Sequence, residues 1–125
     1  MSLPLLPTDL HDAAVDQFVF EPLRGRLTIS VWIEPANGLY VVCKQLLLSE
    51  ISNGKEVERL QQQIDRIKRK GNRKGKGSWL GYRLEEFDYC DPPASKKAEL
   101  AIRLVIDHLP VLIIHCQKIT VQELT

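Results

Sequence analysis

"RLTISVWIE", residues 26–34, decides the fold class. Leu27, Ile29, Val31 and Ile33 fall on one parity; Arg26, Thr28, Ser30, Trp32 and Glu34 fall on the other. Alternation with period two over nine residues predicts a β-strand with one face buried, because successive side chains of a strand point to opposite faces. On its N-terminal side "AAVDQFVFE" (13–21) is rich in β-branched and aromatic residues, and the intervening "PLRG" (22–25) has turn chemistry, so the two segments predict a β-hairpin. "EPANG" (34–38) predicts a second turn. It leads into "LYVVCKQLLLSEI" (39–51), apolar on both parities and therefore expected to be a more central strand.

The period changes at Asn53. In "NGKEVERLQQQIDRIKRKG" (53–71), Val57, Leu60, Ile64 and Ile67 are spaced 3, 4 and 3, a narrow stripe along a helix. Asn53 is placed to be the N-cap, Glu56 holds the capping-box position, and Gly71 offers a C-terminal stop. Acids come early (Glu56, Glu58) and bases late (Arg66, Lys68, Arg69, Lys70), the order that the helix dipole favours.

After a glycine-rich stretch, "SWLGYRLEEFDYC" (78–90) predicts another strand. In "KAELAIRLVID" (97–107) the even positions Leu100, Ile102, Leu104 and Ile106 favour a strand. The rival is a helix capped at Ser95, on which Ala98, Ala101, Ile102, Val105 and Leu109 also align. "DHLP" (107–110) then turns the chain into a last strand, "VLIIHCQKITVQ" (111–122). All seven prolines lie outside these elements, as proline must in helix interiors and central strands. The expected architecture is a single α+β domain over 1–125. A largely antiparallel sheet of about six strands, in the order β-β-β-α-β-β-β, carries one amphipathic helix near 54–70.

Composition narrows the class. With 44% hydrophobic and 26% charged residues, the chain is that of an ordinary soluble globular protein. "MSLPLLPTDLHD" (1–12) lacks a basic start and is broken by prolines, unlike a signal peptide, and no apolar run approaches a membrane span. Cys43, Cys90 and Cys116 form no CxxC pair, so free thiols in a reducing cytoplasm are expected, with no metal and no cofactor.

The net charge is +1, yet "RIKRKGNRKGK" (66–76) holds seven Lys or Arg and no acid, leaving 10 bases against 16 acids elsewhere. The predicted helix-exit segment 66–77 is thus a basic, glycine-rich loop. It is not a phosphate-binding loop: after Gly71 the required Gly-Lys-Ser order is replaced by Lys76-Gly77-Ser78, and it follows a helix instead of preceding one. No dinucleotide fingerprint fits either, since Leu80 stands where the third glycine belongs. His11-Asp12 has no further histidines at metal-ligand spacing. His115-Cys116 and Glu85-Glu86 are adjacent residues whose side chains point apart on a strand. The sequence therefore predicts a protein that is not an enzyme.

"LHDAAVDQFVFEPLRGRLTISVWIE" (10–34) resembles the opening of a loose group of small bacterial β-rich proteins that begin with an HD-x-x-V segment, some of them immunity-type proteins that neutralise a partner toxin. The resemblance implies a β-rich fold and a non-enzymatic role, and it carries over no functional residues.

Two functions compete. One is a protein–protein interaction module that uses the helix or a sheet face; here the stripe Val57, Leu60, Ile64 and Ile67 either packs at the sheet's margin or forms a homodimer seam through helix 54–70. The other is a weak, sequence-independent nucleic-acid or anion binder. It would use Arg66, Lys68, Arg69, Lys70, Arg73, Lys74 and Lys76, with Trp79 and Tyr82 near enough to stack on bases. A pI of about 7.7 favours the first.

Overall fold

The structure of the protein, a computed structural model, describes residues 6, 10–33, 42–72, 82–90 and 100–124; at 68–72 and 124 it describes the backbone alone. The elements are β1 (Ala14–Glu21), β2 (Arg26–Ile33), β3 (Val42–Ser49), α1 (Gly54–Asn72), β4 (Leu84–Tyr89), β5 (Leu100–Ile106), β6 (Leu112–Cys116) and β7 (Lys118–Leu124). The protein is α+β and antiparallel, with three strands before the helix, as the periodicities predict. Ile29, Leu27 and Val31 are fully buried on the predicted face of β2, while Ile33 is half-buried against the core. β5 is a strand and not the rival helix; Ile102, Leu104 and Ile106 are its buried face.

The expected single sheet is instead two: β1-β2-β3-β7 and β4-β5-β6. The segment read as one last strand bends at Gln117, so that β6 pairs with β5 and β7 pairs with β3. Gln117 N–H donates to Ser49 O (3.2 Å) and fixes the bend. Uninterrupted β propensity hides such a corner, since a strand that changes sheet keeps its composition. β3, apolar on both parities, does lie inside its sheet, between β2 and β7.

The sheets meet again at the start of β1. Asp12 N–H donates to Leu84 O (2.8 Å), Leu84 N–H to Ala13 O (2.7 Å) and Val15 N–H to Tyr82 O (2.8 Å). Bulges at Val15/Gln17 and Leu84/Glu86 flank this seam and bend the strands toward each other. One apolar cluster fills the space between the sheets, from Phe18 and Leu46 to Ile106 and Ile114.

α1 packs against β1 and β6, one edge strand from each sheet. Val57, Leu60 and Ile64 are buried in the common core, and Ile67 is partly buried against it. Of the two readings of the stripe, intramolecular packing is the one realised. The candidate interaction stripe of Val57, Leu60, Ile64 and Ile67 is thus taken up in packing within the chain.

Two polar side chains fasten the helix. Gln61 Oε1 accepts from Phe20 N–H on the edge of β1 (2.8 Å), while its Nε2 donates to Asp65 (3.0 Å). Asn53 is the residue before the helix, but its amide does not make the expected capping box. Its Nδ2 donates to Ile113 O (2.6 Å) and to Glu56 Oε2 (3.1 Å), and its Oδ1 accepts from His115 N–H (2.9 Å). The Asn53 side chain is thus a short piece of added strand on the outer edge of β6. At the other end α1 runs through Gly71 to Asn72, so residues 66–72 of the expected loop are helical backbone. A terminal turn of Lys and Arg, good helix formers that the dipole favours there, outweighs one glycine's cost of about 1 kcal/mol.

Candidate interaction face

Register determines what the four-stranded sheet shows on its outer side. Across β1, β2, β3 and β7 one row reads Gln17, Ser30, Gln45, Gln122 and the next Val19, Thr28, Leu47, Thr120. Beyond the first row stand Ala14, Trp32 and Cys43; of these only Trp32 is exposed, and Ser30 in the first row is likewise buried beneath its neighbours' level. None of these residues is charged. Charge enters this side in the last row, with Glu21, Arg26 and Lys118, and at the β1 bulge, where Asp16 is near enough for its charge to raise the Cys43 thiol. Val19 and Trp32 are 46% and 39% exposed, so apolar surface faces outward here.

The three-stranded sheet is different. Its exposed positions include Glu86, Asp88 and Arg103, with Arg103 Nε on Glu86 Oε2 at 3.1 Å. The two central rows of the four-stranded sheet carry no such charge. An uncharged face with an outward tryptophan has the composition of an interface core, where charge is depleted and aromatic residues are enriched. The alternation in 26–34 identified Thr28, Ser30 and Trp32 as outward residues; the pairing of three other strands beside them was needed to assemble the face.

The sequence-predicted residues are distributed as follows. Arg66 is an exposed helical residue, and Lys68, Arg69 and Lys70 continue the same helix as backbone. Arg73, Lys74, Lys76 and Trp79 lie outside the described residues. Tyr82 is half-buried, packs on the core and meets His108 edge-to-face, with ring centroids 5.2 Å apart. Its ring is thus in contact with His108 and the core.

A polar cluster that the sequence did not reveal lies on the seam. His11-Asp12 and Asp107-His108, far apart in the chain, both approach Glu85. Asp12 and His108 adopt left-handed backbone (φ 67° and 66°), which Asp and His tolerate better than most residues. The hydrogen bond between His11 Nδ1 and Glu85 O (2.9 Å), helped by the Asp12 carboxylate at 3.6 Å, raises the imidazole pKa. Glu85 is raised from the usual carboxylate range by its hydrogen bond to the Asp107 carboxyl and by the charge of Asp107. Arg83 Nη1 donates to Asp12 O (2.9 Å). All of these groups stand in solvent and serve to fasten the β5–β6 turn to the start of β1.

The cysteines carry no activated thiolate. Burial pushes the thiols of Cys43 and Cys90 upward, and Cys116 is fully buried. Among the described residues, no three or more His, Cys, Asp or Glu are gathered as metal ligands would be, and no helix is long and apolar enough to cross a membrane. No protein family, curated protein or solved structure matches this chain.

Proposed function

We propose that this chain is a non-enzymatic protein–protein interaction module whose binding surface is the outer face of the β1-β2-β3-β7 sheet. The observation that carries the reading is the charge-free arrangement of Gln17, Ser30, Gln45, Gln122, Val19, Thr28, Leu47 and Thr120, set against the charged face of the other sheet. Water solvates charge far better than it solvates an extended array of Thr, Val and Leu. A partner with a similarly uncharged strand face gains by covering it. An immunity-type role, in which a toxin is neutralised by being covered, is what the opening segment's resemblance implies. The engagement of Tyr82 by His108 and the core weakens the competing nucleic-acid reading, which needed that ring free.

Affinity capture from the source cells with paired variants tests this. Val19→Lys with Thr120→Glu places two charges on exposed positions of the face. It should abolish recovery of the wild-type partner and leave the fold intact. Glu86→Ala with Arg103→Ala, on the other sheet, should leave recovery unchanged. Equal recovery by both variants, or nucleic acid as the dominant species in the eluate, would refute the assignment.

A further inference from the structure

We propose that Asn53-Gly54 is a deamidation site that the attachment of α1 to β6 holds latent, and that converts an opening of this contact into a lasting one. The proposal is separate from the binding face of the four-stranded sheet and does not rest on it.

The chemistry follows from the dipeptide. The Gly54 backbone nitrogen, on losing its proton, attacks Cγ of the Asn53 side chain. A C–N bond forms, the Cγ–Nδ2 bond breaks, and Nδ2 departs as ammonia, carrying the equivalent of that proton. Water then opens the five-membered imide at either carbonyl, which leaves aspartate or isoaspartate. The step uses no oxidant or reductant. Glycine favours ring closure, because it has no Cβ to crowd the attacking nitrogen and the backbone freedom to reach the required conformation.

The fold treats the two reacting groups differently. Gly54 N–H is the first of the helix and makes no hydrogen bond to a described residue, so the nucleophile is not engaged. The amide it must attack is tied through both heteroatoms: Nδ2 donates to Ile113 O (2.6 Å) and Glu56 Oε2 (3.1 Å), and Oδ1 accepts from His115 N–H (2.9 Å). Asn53 O also accepts from Glu56 N–H (3.1 Å), which holds the backbone of residue 53 at the helix start. Cγ therefore reaches Gly54 N only when the amide gives up β6. The rate is that of the free segment multiplied by the fraction of time the contact is open.

The product does not restore what opened. Either acid lacks the N–H that Ile113 O accepts, and either adds a negative charge beside the Glu56 carboxylate. Isoaspartate, in addition, lengthens the main chain by one atom at the helix start.

The test is tryptic mapping of the full chain after incubation at mildly alkaline pH. Asn53 falls on fragment 45–55, and the other Asn-Gly pair, Asn37-Gly38, falls on fragment 27–44. Asn53 should react at least about tenfold more slowly than in the synthetic segment 45–55, the scale of two hydrogen bonds to the amide. In denaturing urea the two rates should converge. Gln61→Ala removes a half-buried side chain that ties α1 to Phe20 N–H of β1 (2.8 Å). It should speed Asn53 about two- to tenfold, the scale of one hydrogen bond. The deamidated chain, separated by its added charge, should exchange the His115 amide proton faster than the native chain. Equal rates in the folded chain and the segment, a rate still slow in urea, indifference to Gln61→Ala, or unchanged His115 exchange would each overturn the proposal.

Discussion

Replacing Asn53 separates two accounts of how α1 is attached. An ordinary N-cap asparagine is replaced by aspartate at little or no cost, and the helix dipole adds about 0.3–1 kcal/mol in favour of the charge. In this structure the Asn53 amide works chiefly as a surrogate strand: Nδ2 on Ile113 O at 2.6 Å, Oδ1 on His115 N–H at 2.9 Å. Aspartate keeps the acceptor but loses the donor. It sets a carboxylate oxygen against Ile113 O and close to the Glu56 carboxylate, which is now 3.1 Å from Nδ2. With each net hydrogen bond contributing about 0.5–1.5 kcal/mol, Asn53→Ala should cost about 1–3 kcal/mol. Asn53→Asp should cost at least as much, and it should recover part of the loss below the carboxylate range, where protonation removes the repulsion. Urea unfolding followed by tryptophan fluorescence at neutral and acidic pH measures both. An aspartate variant within about 0.5 kcal/mol of wild type at neutral pH, the range of a neutral surface change, would refute the strand-surrogate role.

Ile29 is fully buried between Phe18 and Leu46 in register, so Ile29→Ala should cost about 2–5 kcal/mol in the same assay. Gly25 closes the β1–β2 loop at φ 59°, with room for a Cβ at 3.5 Å from Ile51 N; Gly25→Ala should therefore cost about 1–2 kcal/mol through backbone strain alone, measured by thermal melting. Glu85 and His11 both have folded pKa values raised above their ordinary ones, so each contributes stability in its protonated form that is lost as pH rises through the folded value. Glu85→Gln should flatten the stability profile between the carboxylate range and neutrality, and an unchanged profile would show that the Glu85–Asp107 contact is not kept in solution.

The parts of the fold that follow from local chemistry were legible in the sequence. Period two in 26–34 gave the faces of β2, and the 3-4-3 spacing gave the buried side of α1, because each pattern is set by backbone geometry within one element. What required distant partners was not legible. The bend at Gln117 depends on Ser49, the seam on Leu84 meeting Ala13, and the amide of Asn53 finds Ile113 and His115 some sixty positions along the chain. The candidate surfaces divide in the same way. Trp32 and Thr28 were read as outward, but the charge-free face exists only when Gln17, Gln45 and Gln122 are brought beside Ser30. The basic run was conspicuous from its composition, yet half of it proved to be the last turns of a helix, where the dipole already accounts for cations.

The most direct test of the interaction reading is a cross-saturation experiment on the methyl-labelled protein in complex with its captured partner. Irradiating the partner should attenuate the methyl signals of Val19, Thr28, Leu47 and Thr120, and leave the core methyls of Ile102 and Ile106 unaffected. Attenuation confined to residues of the three-stranded sheet, or to the C-terminal turns of α1, would contradict the assignment of the outer β1-β2-β3-β7 face as the binding surface.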